Sequence, residues 1–199
     1  MFSEARPFTV AEHRHPAWKV VLPWGGRVTV RPPGERPISA PGVIVPPQFA
    51  HACSTDSGFT ALFIDAWLLP DALVPTPLDA STAEGLLGDP SLAAVAALMG
   101  PCPDLDPRVA CALRAAPGTP LSDVAATVGL SAPRLRALVR DSVGIPLVRL
   151  RRWARLRAAV TELPRASVAT AAADAGFADQ AHLTRTARDF LGRTPASLR

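Results

Sequence analysis

The stretch GFADQAHLTRTARDFLGRTP, residues 176–195, carries two side-chain patterns on one helical period. Leu183, Ala187 and Phe190 recur at spacings of three and four and form an apolar stripe, while Gln180, Ala181, Thr184, Arg185 and Arg188 fall on the outward side. Asp179 precedes the stripe as a capping residue and Gly192 follows it as a stop. The outward set combines donors and small methyl-bearing groups. Gln and Arg can make bidentate contacts to adenine and guanine edges, and Ala or Thr can meet the thymine methyl.

A weaker copy stands upstream. AATVGLSAPRLRALVRDSVGIP (125–146) aligns with AADAGFADQAHLTRTARDFLGRTP (172–195), placing Gly129 on Gly176, Leu135 on Leu183, Arg140-Asp141 on Arg188-Asp189 and Gly144 on Gly192. Each copy predicts a short alanine-rich helix, a glycine turn, a cap (Ser131 or Asp179) and a second helix of about three turns. On the first copy Leu135, Leu138 and Val139 face inward, leaving Pro133, Arg136, Ala137 and Arg140 outside. Between the copies, PLVRLRRWARLRAAVTELP (146–164) predicts one long helix. Leu147, Leu150, Ala154, Leu156, Val160 and Leu163 supply its apolar positions, and Arg149, Arg151, Arg152, Arg155 and Arg157 its charge. Two reading helices held about 34 Å apart would enter successive major grooves.

Charge follows the same division. Residues 1–116 hold eight Arg or Lys against eleven Asp or Glu, a net of −3, whereas residues 117–199 hold thirteen Arg against six acids, a net of +7. A basic half attached to an acidic half implies that one module meets a polyanion. Sixteen of the 22 prolines precede residue 117, so long helices belong to the second half.

The first half reads differently. WKVVL, RVTV, GVIV and TALFI are short Val- and Ile-rich runs bounded by Pro, Gly, Asp or Ser, which predicts a small antiparallel β sandwich or barrel. STAEGLLGDPSLAAVAALMG (81–100) then shows helical spacing divided at Pro90, with a face to bury against the sheet or a second subunit. No run approaches the 18 apolar residues of a membrane span, and the first residues lack a signal peptide's apolar stretch, so the expectation is a cytoplasmic protein without membrane association. Cys53, Cys102 and Cys111 are odd in number and lack C-x-x-C spacing, which predicts buried free thiols.

The histidines carry the remaining chemistry. His13, His15 and His51 could meet if the H-x-H lies on a strand, because strand side chains alternate. Trp18, Trp24 and Phe49 suit the wall of an apolar ligand pocket around them and equally suit a core. HRHP and GVIVPPQFAH resemble the two conserved segments of small cupin barrels, which implies a three-histidine metal site. Cupin enzymes add a carboxylate after the H-x-H, however, and Lys19 stands there instead, so the expectation is a pocket without metal and no cofactor.

The C-terminal features together resemble the AraC/XylS class of transcription regulators: the paired motifs, Arg155, Leu156 and Ala159 of the linking helix, and the ending Gly176, Phe177, Asp179, Leu183, Arg185, Gly192, Pro195, Arg199. The resemblance covers residues 105–199. Ala187-Arg188 and Leu183 depart from the Phe-Lys and aromatic usual there, which implies a core repacked with smaller groups. By this resemblance the outward residues of both second helices contact double-stranded DNA.

The expected fold is therefore α+β. A small antiparallel cupin-like barrel (1–68) precedes a helical linker or dimerisation segment (69–104) and an all-α domain of two helix-turn-helix motifs joined by a long helix (105–199). The expected protein is a sequence-specific transcription regulator and not an enzyme. Its first half senses a small-molecule effector or mediates dimerisation, with RNA polymerase and a second copy of the chain as further candidate partners. One rival is a metal-dependent cupin enzyme with a nucleic-acid-binding tail; another is a DNA binder whose barrel is purely structural.

Overall fold

Short apolar runs separated by Pro and Gly become antiparallel strands in the first half of the chain. A computed structural model describes residues 1–101 and 104–198; Cys102 and Arg199 lie outside the described residues. The strands are β1 (Phe2–Glu4), β2 (Thr9–His13), β3 (Ala17–Pro23), β4 (Val28–Arg31), β5 (Ile38–Ala40), β6 (Gly42–Val45), β7 (His51–Thr55), β8 (Phe59–Asp65) and β9 (Thr76–Leu78). They form a five-stranded sheet in the order β1-β8-β3-β6-β9 and a four-stranded sheet in the order β2-β7-β4-β5. Both sheets are open, so of the sandwich and the cupin-like barrel that the sequence predicts, the strands do not close into the barrel. The edges explain it: β1, β5 and β9 are three residues each, and Pro77 in β9 has no N–H to donate to a further strand.

The first core lies between the sheets. Val10, Val28, Val30 and Cys53 meet Val21, Val43, Val45, Phe59 and Ala61 there. The outer face of the five-stranded sheet carries Trp18, Val20, Leu22, Ile44, Leu62 and Ile64, which helices α1 (Ala80–Gly88) and α2 (Leu92–Met99) cover through Ala83, Leu86 and Val95. With both faces covered, β3 is buried along all seven residues. The helical pair thus packs on its own sheet, and β9, from the stretch expected as a helical linker, extends that sheet along β6. Pro90 falls between the helices, with Asp79 and Ser91 as their caps.

The second half is helical: α3 (Pro107–Arg114), α4 (Leu121–Thr127), α5 (Ala132–Val143), α6 (Leu147–Glu162), α7 (Val168–Asp174) and α8 (Gln180–Leu191), ending in a 3-10 turn at Pro195–Leu198. The chain divides into two compact units, Met1–Pro103 with Asp189–Gly192 and Asp104–Arg188 with Arg193–Arg199. Cys53 is buried and free; Cys111 is free but only half-buried, against the expectation of a buried thiol. Among the described residues, no helix is long and apolar enough to cross a membrane.

Helix α6 buries its leucines together with Trp153 and Ala159, not with Ala154 and Val160 as the sequence suggests. Leu147, Leu150, Trp153, Leu156 and Ala159 are buried, whereas Ala154 and Val160 are half-buried. A spacing of three keeps Trp153, the largest apolar group of the helix, on the inner side.

Candidate nucleic-acid interface and histidine cluster

The two helix-turn-helix motifs close by the same hydrogen bonds. At the first turn Leu130 N–H donates to the Ala125 carbonyl at 2.9 Å and Gly129 N–H to the Ala126 carbonyl at 3.1 Å; at the second, Phe177 donates to Ala172 and Gly176 to Ala173, both at 2.9 Å. This pattern needs a residue in left-handed conformation, and Gly129 (φ 66°) and Gly176 (φ 74°) supply it. The next helix then begins at a cap. Ser131 accepts from Arg134 N–H at 3.4 Å, and Asp179 accepts from His182 N–H at 2.6 Å.

On α5, Leu135 and Val139 are fully buried and Leu138 half-buried; Pro133, Arg136 and Arg140 are exposed and Ala137 half-buried. On α8, Leu183, Ala187 and Phe190 are fully buried, while Gln180, Ala181, Arg185 and Arg188 are exposed. Thr184 is half-buried and donates its hydroxyl to the Gln180 carbonyl at 2.9 Å. Arg134, in the first turn of α5, is a further exposed arginine that the copy alignment passed over. Its place beside the cap is the signal that could have found it. His182 is half-buried, its ring set edge-on against Phe177 at 5.2 Å.

The arginines of α6 are largely turned to internal use. Arg151 donates to the Ala116 carbonyl at 3.1 Å and to the Thr119 carbonyl, Arg152 to the Thr186 hydroxyl at 3.3 Å, and Arg155 to the Gly176 carbonyl at 3.3 Å. Arg155 thereby satisfies a carbonyl at the second turn. Thr186, buried and unremarked in the sequence, is what Arg152 reaches. Among the α6 arginines named from the sequence, Arg157 is the exposed one.

In the β unit, His13, His15 and His51 come together at one end of the space between the sheets. His13 ends β2 and is the register partner of His51 at the start of β7. The strand stops at His13 and is bulged between Val10 and His13, so regular alternation is not what aligns the H-x-H. Ring centroids stand 4.4 Å apart for His13–His51, 5.2 Å for His15–His51 and 5.7 Å for His13–His15. All three are buried, and burial is the main reason their imidazoles resist protonation. Burial, then the Lys19 charge, lowers His13 to about 2 and His51 to about 4; His15 is held well below its ordinary value by burial and then by His51 and Lys19. Lys19 is itself buried, with Nζ 5.8 Å from the Phe8 ring centroid.

Of the apolar candidates, Phe49 joins the histidines, 6.1 Å from the His51 ring. Trp18 does not. It lies in the core on the opposite face of β3 and donates its indole N–H to the Ala66 carbonyl at 3.3 Å. Trp24 is 46% exposed and donates to the Thr60 hydroxyl. A cleft of about 380 Å³ opens elsewhere in the β unit, lined by Gly25, Arg27, Asp56, Ala80, Glu84 and Leu87 among others.

Residues 110–199 match the family described as helix-turn-helix domain. Among solved structures, ToxT from Vibrio cholerae O395 is similar over 98% of this chain and 93% of its own, at 11% identity and a TM-score of 0.60. Wild-type ToxT from V. cholerae strain SCE256 with unsaturated fatty acid bound is similar over 98% and 91%, at 9% identity and a TM-score of 0.55. A transcriptional regulator with an AraC-type DNA-binding domain from Chromobacterium violaceum matches 47% of this chain and 89% of its own, at 23% identity and a TM-score of 0.44. No curated protein matches the sequence. Residues 110–199 thus form a helix-turn-helix domain, within a chain that carries the fold of ToxT.

Proposed function

We propose that the protein is a sequence-specific DNA-binding transcription regulator whose β unit senses a small ligand. One observation carries the reading: two helix-turn-helix motifs, closed by the same paired turn bonds, each followed by a helix with exposed arginines opposite a buried stripe. The base-reading set is Pro133, Arg136 and Ala137 on α5 and Gln180, Ala181, Thr184 and Arg185 on α8. Arg140 and Arg188, toward the ends of those helices, bind phosphate. The ligand-sensing role is supported by the fold shared with ToxT, which has been solved with a fatty acid bound. A second copy of the chain and RNA polymerase complete the expected partners.

The test is selection of genomic fragments by the full chain, followed by titration of the recovered duplex. A shared sequence should emerge, bound far more tightly than a scrambled duplex and weakening steeply as salt rises. Equal affinity for both duplexes would remove the sequence-specific reading. Loss of salt dependence would remove the arginine–phosphate contacts.

A further inference from the structure

Each of the three clustered imidazoles is already half committed. His13 Nδ1 stands 2.9 Å from the Ala11 carbonyl, His15 Nδ1 2.6 Å from the Ala17 carbonyl, and His51 Nδ1 2.9 Å from the Phe49 carbonyl. A carbonyl oxygen only accepts, so every Nδ1 carries the proton and donates it. In the neutral ring Nε2 is then a bare lone pair. All three Nε2 atoms are buried without a hydrogen-bond partner, on residues no more than 4% exposed.

Three buried acceptors in one place need a donor or a Lewis acid. A single water has two protons and leaves one of the three unmet. Protonating the rings is opposed by their burial and by the neighbouring Lys19 charge. A metal ion satisfies all three at once. Ligand atoms of the three residues lie within 4.8 Å of one another. Nitrogens bound at about 2.0–2.1 Å to one tetrahedral ion stand roughly 3.3 Å apart, which small side-chain shifts reach. The backbone carbonyls on Nδ1 are the outer partners that ligating histidines require, fixing tautomer and ring orientation.

We propose that His13, His15 and His51 bind a divalent first-row transition ion through their Nε2 atoms, as a site within the β unit. Three neutral imidazoles suit zinc, cobalt, nickel, copper or iron rather than magnesium or calcium. Three protein ligands leave a coordination position open for water or a small anion. Lys19 works against the cation and sets the affinity below that of an uncharged surrounding. The inference does not rest on the DNA-binding reading, since it concerns only what the β unit binds.

The experiment uses the tag-free full chain, stripped with chelator and titrated with Co²⁺. The expected result is one cobalt per chain, visible d–d absorption, no sulfur-to-cobalt charge transfer, and displacement by Zn²⁺. His13→Gln, His15→Gln and His51→Gln should each weaken binding about tenfold or more, whereas His182→Gln should leave it unchanged. Lys19→Met should tighten it. Circular dichroism of the stripped variants separates loss of ligand from loss of fold. Should the glutamine variants not fold, the cobalt spectrum of the wild-type chain and the tightening by Lys19→Met decide the matter. No d–d absorption in the wild type, a thiolate charge-transfer band, or binding that survives in folded glutamine variants overturns the proposal.

Discussion

His13 and His51 are register partners across two antiparallel strands, their rings 4.4 Å apart, and neither is more than 4% exposed. A cross-strand pair of titratable rings in a buried space ties the stability of the β unit to pH. Both histidines are neutral in the fold and take up protons readily when unfolded, near the ordinary value of 6.5. Between that value and about 4, where His51 titrates in the fold, the unfolded chain binds more protons than the native one. Stability is therefore full above pH 6.5 and is lost as pH falls. His51 alone accounts for about 3 kcal/mol by pH 4. Urea denaturation of the chelator-treated chain at pH 7.5, 5.5 and 4.5 should show the β unit's midpoint falling, and a midpoint constant across that range would contradict the buried, neutral assignment.

Trp153 is expected to dominate the energetics of α6. It is 3% exposed in a stripe otherwise made of Leu and Ala, so Trp153→Ala opens a cavity that smaller neighbours cannot fill. Destabilisation of the helical unit by about 3–5 kcal/mol follows. Val148→Ala, at a position 64% exposed on the same helix, should change stability by less than about 0.5 kcal/mol. Denaturant midpoints of both variants check the contrast.

The helical half was legible because its signals are local. Gly129 and Gly176 fall where a left-handed residue is required, Ser131 and Asp179 where a cap is required, and Leu183, Ala187 and Phe190 keep one period. The β half was legible only in part. WKVVL, GVIV and TALFI are apolar enough to announce β3, β6 and β8, but β1, β5 and β9 are three-residue edges too short to show a period, and β1 and β9 take their pairing from the distant strands β8 and β6. The meeting of His13 and His51 depends on such a pairing, at a separation in sequence that periodicity cannot span. The sequence leaves Trp18 and Trp24 equally suited to a pocket wall and to a core. The two faces of β3 place Trp18 in the other core. The internal use of Arg151, Arg152 and Arg155 was likewise hidden, because a charged residue's partner cannot be read from its own helix.

The two turn glycines should be unequal to any substitute. Each sits at positive φ with room for a Cβ, nothing lying within 4 Å at Gly129 and only the Arg155 Cδ at 3.7 Å at Gly176. Strain, not crowding, sets the effect. Gly129→Ala and Gly176→Ala should each cost about 1–2 kcal/mol from the left-handed backbone alone. Asn, which tolerates that conformation, should cost less at both positions. Urea denaturation of the four variants tests this, and equal losses for Ala and Asn would show that backbone strain is not the cause.

Arg185 and Arg188 are both exposed on α8, three residues apart, and are expected to differ in role. Arg185 lies about a turn and a half into the helix beside Gln180, Ala181 and Thr184, where the proposed function has it read a base edge. Arg185→Ala should cost roughly 1–3 kcal/mol on the operator and relax preference at one base pair. Arg188 lies nearer the end of the helix, where the proposed function gives it a phosphate contact. Arg188→Ala should weaken binding about equally on every duplex and reduce the slope of log affinity against log salt by roughly one. Titration of both variants against the operator and a scrambled duplex at several salt concentrations separates the two. Equal losses on both duplexes for Arg185→Ala would mean that it too holds only the backbone, and the reading of bases would then rest on Gln180 and Thr184.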